Sequence, residues 1–228
     1  MTYEMGDHTV HYGPMQEAPI HSVNLFFFDS PGMSPDVSFG EARQFFIETF
    51  QAIERMRHWD SVLFLVARDG KGHPFQKSVV SAYVAQEMGW NVFRQFTWLS
   101  TAGDFHRSRY AAQGVWAMRK GNVPAIESSP YRYKDIIRAK EDMSSTGMVQ
   151  ALPADLIVPL LQLFAVPRMT VCDPFAGSGS VMDAAEILNL KSVSIEIDLS
   201  RAQALLRKAE KYQCQKQLTL IPTSNPAA

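Results

Sequence analysis

The chain has 228 residues, apolar and charged fractions ordinary for a globular protein, and a formal net charge of −1. This length suits one α/β domain, and no apolar run is long enough to cross a membrane. Because the first residues lack the pattern of a signal peptide and the two cysteines cannot build a disulfide framework, we expect a cytoplasmic protein.

The first half of the chain alternates apolar runs with amphipathic segments. Ser22–Phe28 is rich in aromatic residues and closes at Asp29-Ser30-Pro31-Gly32, which predicts a buried strand followed by a turn. The spacing of the apolar residues over Phe39–His58 predicts a helix. Further elements are predicted in this order: a strand at Ser61–Ala67, a helix at Gln76–Met88, and strands at Asn91–Leu99 and Ala111–Met118.

The second half opens with an irregular segment. Prolines, paired serines and basic residues over Asn122–Val149 predict an exposed excursion from the domain. Regular patterns then return as a helix at Pro153–Phe164, a strand at Met169–Cys172, a helix at Ser180–Leu188, a strand at Ser192–Ile197 and a helix at Ser200–Tyr212. We therefore predict a single α/β domain over residues 1–221, a doubly wound and mainly parallel sheet of seven strands, with a short recognition excursion at 122–149 and a disordered tail at 222–228.

Charge is distributed unevenly along the chain. Between His106 and Lys140 eight basic residues face only Glu127 and Asp135, so this segment carries +6 and the remainder −7. Such a run is more often a solvated face than a binding surface. A local basic face on a near-neutral protein is also what an enzyme that docks on nucleic acid uses.

The most specific motif lies between the strand at Met169–Cys172 and the helix that follows it. Asp173-Pro174-Phe175-Ala176-Gly177-Ser178-Gly179 is a glycine-rich loop, and the next strand ends at Glu196. Glycines let the backbone approach a ligand closely, and an acid at the next strand end can accept hydrogen bonds from both ribose hydroxyls. Position 182 is Met where a dinucleotide fingerprint needs a third glycine. A nucleoside cofactor with a cationic methionine group therefore fits better than a diphosphate.

This pair of motifs resembles motifs I and II of the amino-group DNA methyltransferases, in the permuted order of their beta group. The resemblance covers roughly residues 5 to 210 and includes Gly6-Asp7, the catalytic position at Asp29–Met33, the segments Asn91–Trp98 and Arg107–Lys120, and Ala151–Ile157, which is similar to motif X. It implies the methyltransferase fold with S-adenosyl-L-methionine as cofactor. The cofactor-binding residues that it implies are Asp7, Asp173, Pro174, Phe175, Ala176, Gly177, Ser178, Gly179 and Glu196.

The family's catalytic tetrapeptide holds the hydrogens of the target amine, and its aromatic residue stacks on a flipped base. Asp29-Ser30-Pro31-Gly32 matches D-P-P-Y at two positions, and Ser30-Pro31-Gly32-Met33 matches S-P-P-Y at two. Both alignments lack the aromatic residue, so Met33, or Phe39, Trp98 or Phe105 from elsewhere, would have to contact the base. The predicted catalytic residues are Asp29, Ser30, Pro31 and Met33, and a plain strand-ending turn stays open as the alternative.

The resemblance implies direct methyl transfer to an exocyclic amino group of DNA, duplex or single-stranded. Cytosine N4 is preferred over adenine N6, because Ser30-Pro31 and Leu152–Leu156 are similar to the S-P-P-Y enzymes. The expected phosphate contacts are Arg107, Arg109, Arg132, Lys134 and Arg138. Since the excursion is short, we expect loose recognition unless a homodimer or a partner subunit adds contacts.

Two other classes of function stay open. The altered tetrapeptide is compatible with a non-catalytic partner subunit, and the fold with a methyltransferase of small molecules or proteins. His8 and His11 lack a third ligand nearby in sequence, so we expect surface or turn histidines and no metal. The positions of Cys172 and Cys214 exclude the cysteine nucleophile of a cytosine-C5 mechanism.

Overall fold

The computed structural model describes residues 1–31, 33–34, 36–67, 77–100, 112–123, 134–140 and 151–219. The strands are β1 (Thr2–Met5), β2 (His8–Tyr12), β3 (Val23–Asp29), β4 (Arg57–Ala67), β5 (Asn91–Ser100), β6 (Ala112–Lys120), β7 (Ile136–Ala139), β8 (Thr170–Asp173) and β9 (Lys191–Glu196). The helices are α1 (Phe39–Met56), α2 (Lys77–Glu87), α3 (Ala154–Gln162), α4 (Ser180–Ile187) and α5 (Leu199–Thr219), with a 3-10 turn at Met15–Glu17. No helix within these ranges is long and apolar enough to cross a membrane.

The strands form one mixed sheet in the order β1-β2-β9-β8-β3-β4-β6-β5-β7. Seven of them run in the same direction, and β1 and β6 run against the rest. The predicted mainly parallel α/β sheet is confirmed, but it holds nine strands in the described ranges and not seven. The additional strands are short and lie toward the sheet edges, where no continuous apolar run marks them in the sequence.

The order in which the chain adds strands to the sheet reverses between β8 and β3. From β8 the chain proceeds through α4 to β9 on one side, and from β3 through α1 to β4 on the other. Because β3 and β8 pair in parallel, their carboxyl ends lie side by side. Asp29 at the end of β3 and the loop that holds Gly177 after β8 are therefore neighbours at the carboxyl-end side of the sheet. The prediction that these two residues flank a topological switch point is confirmed, and ligands of α/β sheets bind at such points.

Helices cover both faces of the sheet. The α1 face, covered by α1 and α2, buries Phe26, Phe28, Leu63 and Leu65. The α4 face, covered by α3, α4 and α5, buries among others Leu25, Phe27, Phe64, Val66, Val115, Val171, Leu156, Val181 and Leu205. Successive residues of a strand point to opposite faces, so membership of these two clusters tells which face each strand residue occupies.

Local sequence signals explain where several elements begin and end. Ser38 and Glu41 form a capping box that starts α1, with the Glu41 amide donating to Ser38 Oγ at 3.2 Å. The helix ends at Met56, two residues earlier than predicted, because the chain passes directly into β4. Within the predicted excursion, Ile136–Ala139 pairs with β5 and extends the sheet. The tail at 222–228 lies outside the described residues.

Candidate active site

Three acidic side chains converge where β9, β8 and β3 end. Asp29 follows Phe27 on β3 by two residues, Asp173 follows Val171 on β8 by two, and both Phe27 and Val171 belong to the α4 face. On β9 the alternating Val193 and Ile195 pack on the α1 face, which places Glu196 on the α4 face as well. The adjacent strands therefore present Asp29, Asp173 and Glu196 on one face at one edge of the sheet.

Glu196 is held firmly by backbone amides of the surrounding loops. The Gly177 amide donates to its Oε2 and the Asp198 amide to its Oε1, each at 2.9 Å. The side chain is 7% exposed. Since each carboxylate oxygen can accept more than one hydrogen bond, Glu196 is oriented by the protein and can still accept from a ligand.

Asp173 lies in the most desolvated position of the three. It is buried, and its Oδ1 accepts a hydrogen bond from the Phe175 amide at 3.0 Å. The pKa of this carboxyl is raised to about 8, mainly by burial, with a smaller contribution from the nearby carboxyls of Asp29 and Glu196, while the hydrogen bond from the Phe175 amide lowers it. In the described part of the chain no ion pair joins Asp173 or Glu196 to a basic side chain. The electrostatics therefore favour a cation at this point.

The two glycines of the loop serve different purposes. Both adopt the left-handed conformation, with φ of 48° at Gly177 and 77° at Gly179. A Cβ on Gly179 would lie 2.6 Å from Leu205 Cδ2, so this position keeps α5 in contact with the loop. Lys208 fixes the same corner by donating to Ser178 O and Asp183 Oδ2, each at 2.9 Å. The sequence pattern predicted that both glycines contact the cofactor. In the structure Gly179 is also explained by packing, because a side chain there would collide with Leu205 of α5.

The remaining loop residues contribute mainly to the frame of the site. The Phe175 ring packs toward α1, with its centroid 5.8 Å from that of Phe45 and 5.6 Å from that of Phe28. Ala176 is buried beneath α5, and its amide donates to Ile195 O at 3.0 Å. Pro174 is buried, and Ser178 shares a 3.0 Å hydrogen bond with Ser180.

The segment predicted to be catalytic separates its two candidate amine acceptors. The Ser30 amide donates to Val66 O at 3.0 Å, which continues the pairing of β3 with β4. By alternation the Ser30 side chain points toward the α1 face, opposite to Asp29. Met33 also packs on the α1 face, Pro31 is half-buried, and Gly32 lies outside the described residues. Asp29 thus shares a face with Asp173 and Glu196, whereas Ser30 and Met33 lie on the other face.

Asp7 does not belong to this group, contrary to the expectation from sequence. Its carbonyl accepts from the Ser192 amide at 2.9 Å, at the start of β9, whereas Glu196 ends that strand. Its carboxylate pairs with Lys216 of α5 at 3.0 Å. Asp7 therefore lies at the opposite edge of the sheet, where it cannot contact a ligand bound at the glycine-rich loop.

The two histidines are strand residues, so the expectation of surface or turn positions is wrong. His8 is buried and bonds Ser192 Oγ at 2.9 Å and Glu186 Oε2 at 3.1 Å. His11, also buried, bonds Thr2 Oγ1 at 2.8 Å. No group of three or more possible metal ligands occurs in the described ranges.

The structure separates the residues considered for stacking on a base. Trp98 is fully buried, and its indole nitrogen donates to Ala139 O at 3.0 Å, so it serves the core. Phe39 is 52% exposed at the start of α1. Phe105 lies outside the described residues.

The described residues of the basic stretch lie in separate parts of the sheet. Lys134 and Arg138 are exposed beside or on β7, at the far end of the sheet, while Arg107, Arg109 and Arg132 lie outside the described residues. Lys120, by contrast, pairs with Glu54 at 2.9 Å at the end of antiparallel β6. Within the described residues, the basic side chains on β6 and β7 therefore do not form one continuous face.

Sequence reasoning missed one polar residue of this region, Gln113 on β6. It lies on the α4 face, two residues from Val115, and is 5% exposed. The sequence feature that could have identified this residue is a single glutamine at an inward-facing position of a strand whose other inward-facing residues, Val115 and Ala117, are apolar.

Comparisons with known proteins agree with this geometry. The model of the N6/N4 DNA methylase family matches residues 64–207, more than half of the chain. No curated protein matches the sequence. Among solved structures, PvuII DNA methyltransferase, which is cytosine-N4-specific, is similar with a TM-score of 0.70 and 15% identity over 93% of each chain.

Two further structures share the fold at low identity. A Thermus thermophilus protein assigned as a DNA modification methylase, complexed with S-adenosyl-L-methionine, has a TM-score of 0.67 and 16% identity over 90% of this chain and 95% of its own. M1.HpyAVI in complex with SAM has a TM-score of 0.65 and 13% identity over 88% and 99%. The family match, the α/β sheet and the loop at its switch point together establish that this chain belongs to the N6/N4 DNA methylase family.

Proposed function

We propose that the chain methylates an exocyclic amino group of a DNA base, using S-adenosylmethionine, by direct transfer to a flipped base. The observation that carries the proposal is the placement of Asp29 on the same face and edge as Asp173 and Glu196, on strands adjacent to the glycine-rich loop. The half with Asp29 precedes the half with the loop in the chain, which supports the permuted order of the beta group.

The residues present fit the cofactor. Glu196 is oriented by two amides and can accept from ribose hydroxyls, while Gly177 leaves the loop without a side chain near that carboxylate. Asp173, buried with no basic partner in the described ranges, suits the positive charge of the methionine part. The cofactor, when bound, supplies an electrophilic methyl group on a positively charged sulfur.

Asp29 is the residue best placed to act on the amine. Its carboxylate can accept a hydrogen bond from the amino group, which returns electron density to the nitrogen for in-line attack. The new nitrogen–carbon bond forms as the sulfur–carbon bond breaks, and the surplus proton on nitrogen passes to the Asp29 carboxylate. Ser30 and Met33, which point to the α1 face, are assigned supporting positions in the turn.

Cytosine N4 remains the proposed target on the sequence grounds given for Ser30-Pro31 and Leu152–Leu156. Adenine N6 is the second candidate, because Asp29 and not Ser30 faces the site and the D-P-P-Y alignment depends on that aspartate. Separate Asp29→Ala and Ser30→Ala variants test which of the two side chains methyl transfer depends on, whereas the target base is identified by analysis of the product. We expect methyl transfer to be lost in the first and largely kept in the second.

We also propose that one domain over residues 1–221 performs this reaction and that exposed Lys134 and Arg138, with Arg107, Arg109 and Arg132, contact phosphates. A homodimer or a partner subunit, and the cytoplasmic location, stay predictions from the sequence.

The deciding experiment is incubation of the protein with labelled S-adenosylmethionine and mixed duplex and single-stranded DNA, followed by nucleoside mass spectrometry. N4-methylcytosine supports the primary assignment, and N6-methyladenine alone rejects it in favour of the second candidate. Tight cofactor binding without transfer to any DNA would favour a non-catalytic partner subunit. Transfer to another substrate with no salt-sensitive DNA binding would indicate a small-molecule or protein methyltransferase.

A further inference from the structure

Gln113 is a buried side chain with unsatisfied hydrogen-bonding groups. It is 5% exposed, and neither its Nε2 nor its Oε1 has a hydrogen-bond partner in the structure described. Buried polar groups without partners are rare, since each loses its hydrogen bonds to water and gains none. A retained orphan amide therefore needs an explanation, and a missing ligand is the simplest one.

The position of Gln113 identifies which ligand this is. Asp29 is the cross-strand partner of Val66 on β4, and Val66 is the cross-strand partner of Val115 on β6. Because β6 runs against its neighbours, Gln113 lies two residues beyond Val115 toward the edge of the sheet that bears the site, on the same α4 face as Asp29. Two strand spacings and two residue rises place the Cα atoms of Asp29 and Gln113 roughly 12 Å apart. That separation leaves room for a base ring between the two side chains.

The chemistry of the amide matches the same ligand. A primary amide presents one donor and one acceptor in a plane, the complement of an amino group and its neighbouring ring nitrogen. Glutamine uses this pairing to read adenine in the major groove. The Watson–Crick edges of cytosine and of adenine carry the same combination, and flipped bases are read on that edge.

We propose that Gln113 binds the Watson–Crick edge of the flipped target base and sets the preference for amino-bearing bases. Its Nε2 donates to the ring nitrogen beside the amino group, and its Oε1 accepts from the amino group that Asp29 holds from the other side. This inference rests on the proposed function and adds a contact to the edge of the base, which is distinct from the aromatic stacking that the altered tetrapeptide lacks.

The test compares Gln113→Leu with the matched control Gln95→Leu. Leucine preserves the approximate size of the side chain and removes both polar atoms, whereas Gln95 is an exposed glutamine on the neighbouring strand, opposite Trp116. We expect kcat/KM for DNA to fall about tenfold to a hundredfold in Gln113→Leu, with the dissociation constant for S-adenosylmethionine unchanged. The control should leave both quantities unchanged. Gln113→Glu, which keeps an acceptor but loses the donor, should also lose activity.

Thermal unfolding separates a ligand contact from a structural role. Since leucine removes orphan polar atoms from the interior, Tm of Gln113→Leu should stay equal or rise. Unaltered kcat/KM, or a lower Tm with an equal loss of cofactor affinity, would overturn the inference while leaving the proposed function standing. Absence of methyl transfer by the wild-type protein to any DNA would overturn the proposed function and this inference together.

Discussion

At the scale of single residues, Glu196 connects the glycine-rich loop to the proposed ribose contact. Replacing Glu196 by alanine removes charge-assisted hydrogen bonds of about 1.5–3 kcal/mol each and releases the amides of Gly177 and Asp198. We expect the affinity for S-adenosylmethionine, measured by calorimetry, to fall at least about tenfold. Glu210→Ala is the matched control, because Glu210 is exposed on α5. Equal dissociation constants for the two variants would remove Glu196 from the cofactor site.

The buried carboxyl of Asp173 should make stability depend on pH. Its pKa is raised from the ordinary 3.8 to about 8, so between these values the folded state holds a proton that the unfolded state has released. The free energy of unfolding therefore falls as pH rises from about 4 to about 8. In Asp173→Asn the side chain keeps its shape but cannot ionise, and this decline should disappear.

Thermal unfolding between pH 4 and pH 8 measures the effect. At pH 8 we expect Tm of Asp173→Asn to exceed that of the wild type by about 2–8 °C. The same variant should bind S-adenosylmethionine more weakly, since a bound cation favours ionisation of Asp173 and asparagine cannot ionise. Asp155→Asn, at an exposed position of α3, should retain the wild-type slope of Tm against pH. Parallel slopes for wild type and Asp173→Asn would show that the carboxyl is ionised in the folded protein.

At the scale of elements, the contact of α5 with the loop depends on Gly179. Alanine at this position would have to adopt a φ near 77° and place a Cβ 2.6 Å from Leu205 Cδ2. We expect Gly179→Ala to lower the free energy of unfolding by about 2 kcal/mol or more, measured by urea denaturation. Gly40→Ala is the opposite control, because Gly40 lies in α1 with its Cβ position 3.9 Å from the nearest atom, and helix propensity should raise stability by up to about 1 kcal/mol.

A double-mutant cycle divides the cost of Gly179→Ala into its two causes. In a Leu205→Ala background the steric contact is absent and only the backbone strain remains, so alanine at 179 should cost less. If the cost is the same in both backgrounds, the contact with α5 contributes nothing and the strain alone explains the glycine.

Elements with continuous apolar runs could be predicted from the sequence, and those without could not. The central parts of β3, β4 and β8 are buried and mainly apolar, so each of these strands was predicted, although β4 begins four residues earlier than predicted. β1 and β2 are short and mix polar and apolar residues, and β7 lies inside a segment rich in breakers. Their strand structure comes from pairing with neighbours, which no local pattern records.

The cofactor-binding loop of the candidate site could be predicted from the sequence, but the relative positions of the other site residues could not. The spacing of Asp173, Gly177 and Glu196 indicated a cofactor loop, because the motif lies within one strand–helix–strand unit. Asp7 was misplaced because sequence order does not tell which edge of the sheet a turn occupies. The facing of Asp29 could not be predicted, because Leu25 to Phe28 are all apolar and buried, so the sequence does not show which face of the sheet each residue occupies.

At the scale of the whole molecule, the question is how a protein of net charge −1 holds DNA. Lys120 pairs with Glu54, and Arg119 lies over the Phe93 ring with its Cζ 5.3 Å from the centroid, so these two charges serve the fold. Lys134 and Arg138 are exposed, and β7 runs parallel to β5 toward the edge that bears the site. They, with Arg132, are therefore the charges we expect at phosphates.

A triple charge reversal at Arg132, Lys134 and Arg138 tests this expectation. Each lost phosphate contact should reduce the slope of log K against log salt by about 0.9, so the variant should bind DNA more weakly and lose about two to three units of slope. The control reverses Lys191, Arg207 and Lys211, exposed residues at the opposite sheet edge and on α5, and changes the net charge by the same amount. Affinity for S-adenosylmethionine should be unchanged in both, because neither triple reversal changes a residue that we assign to the cofactor. Should the two variants lose DNA affinity equally, the attraction depends on total charge and not on this edge, and a small-molecule or protein substrate becomes the better explanation of the site.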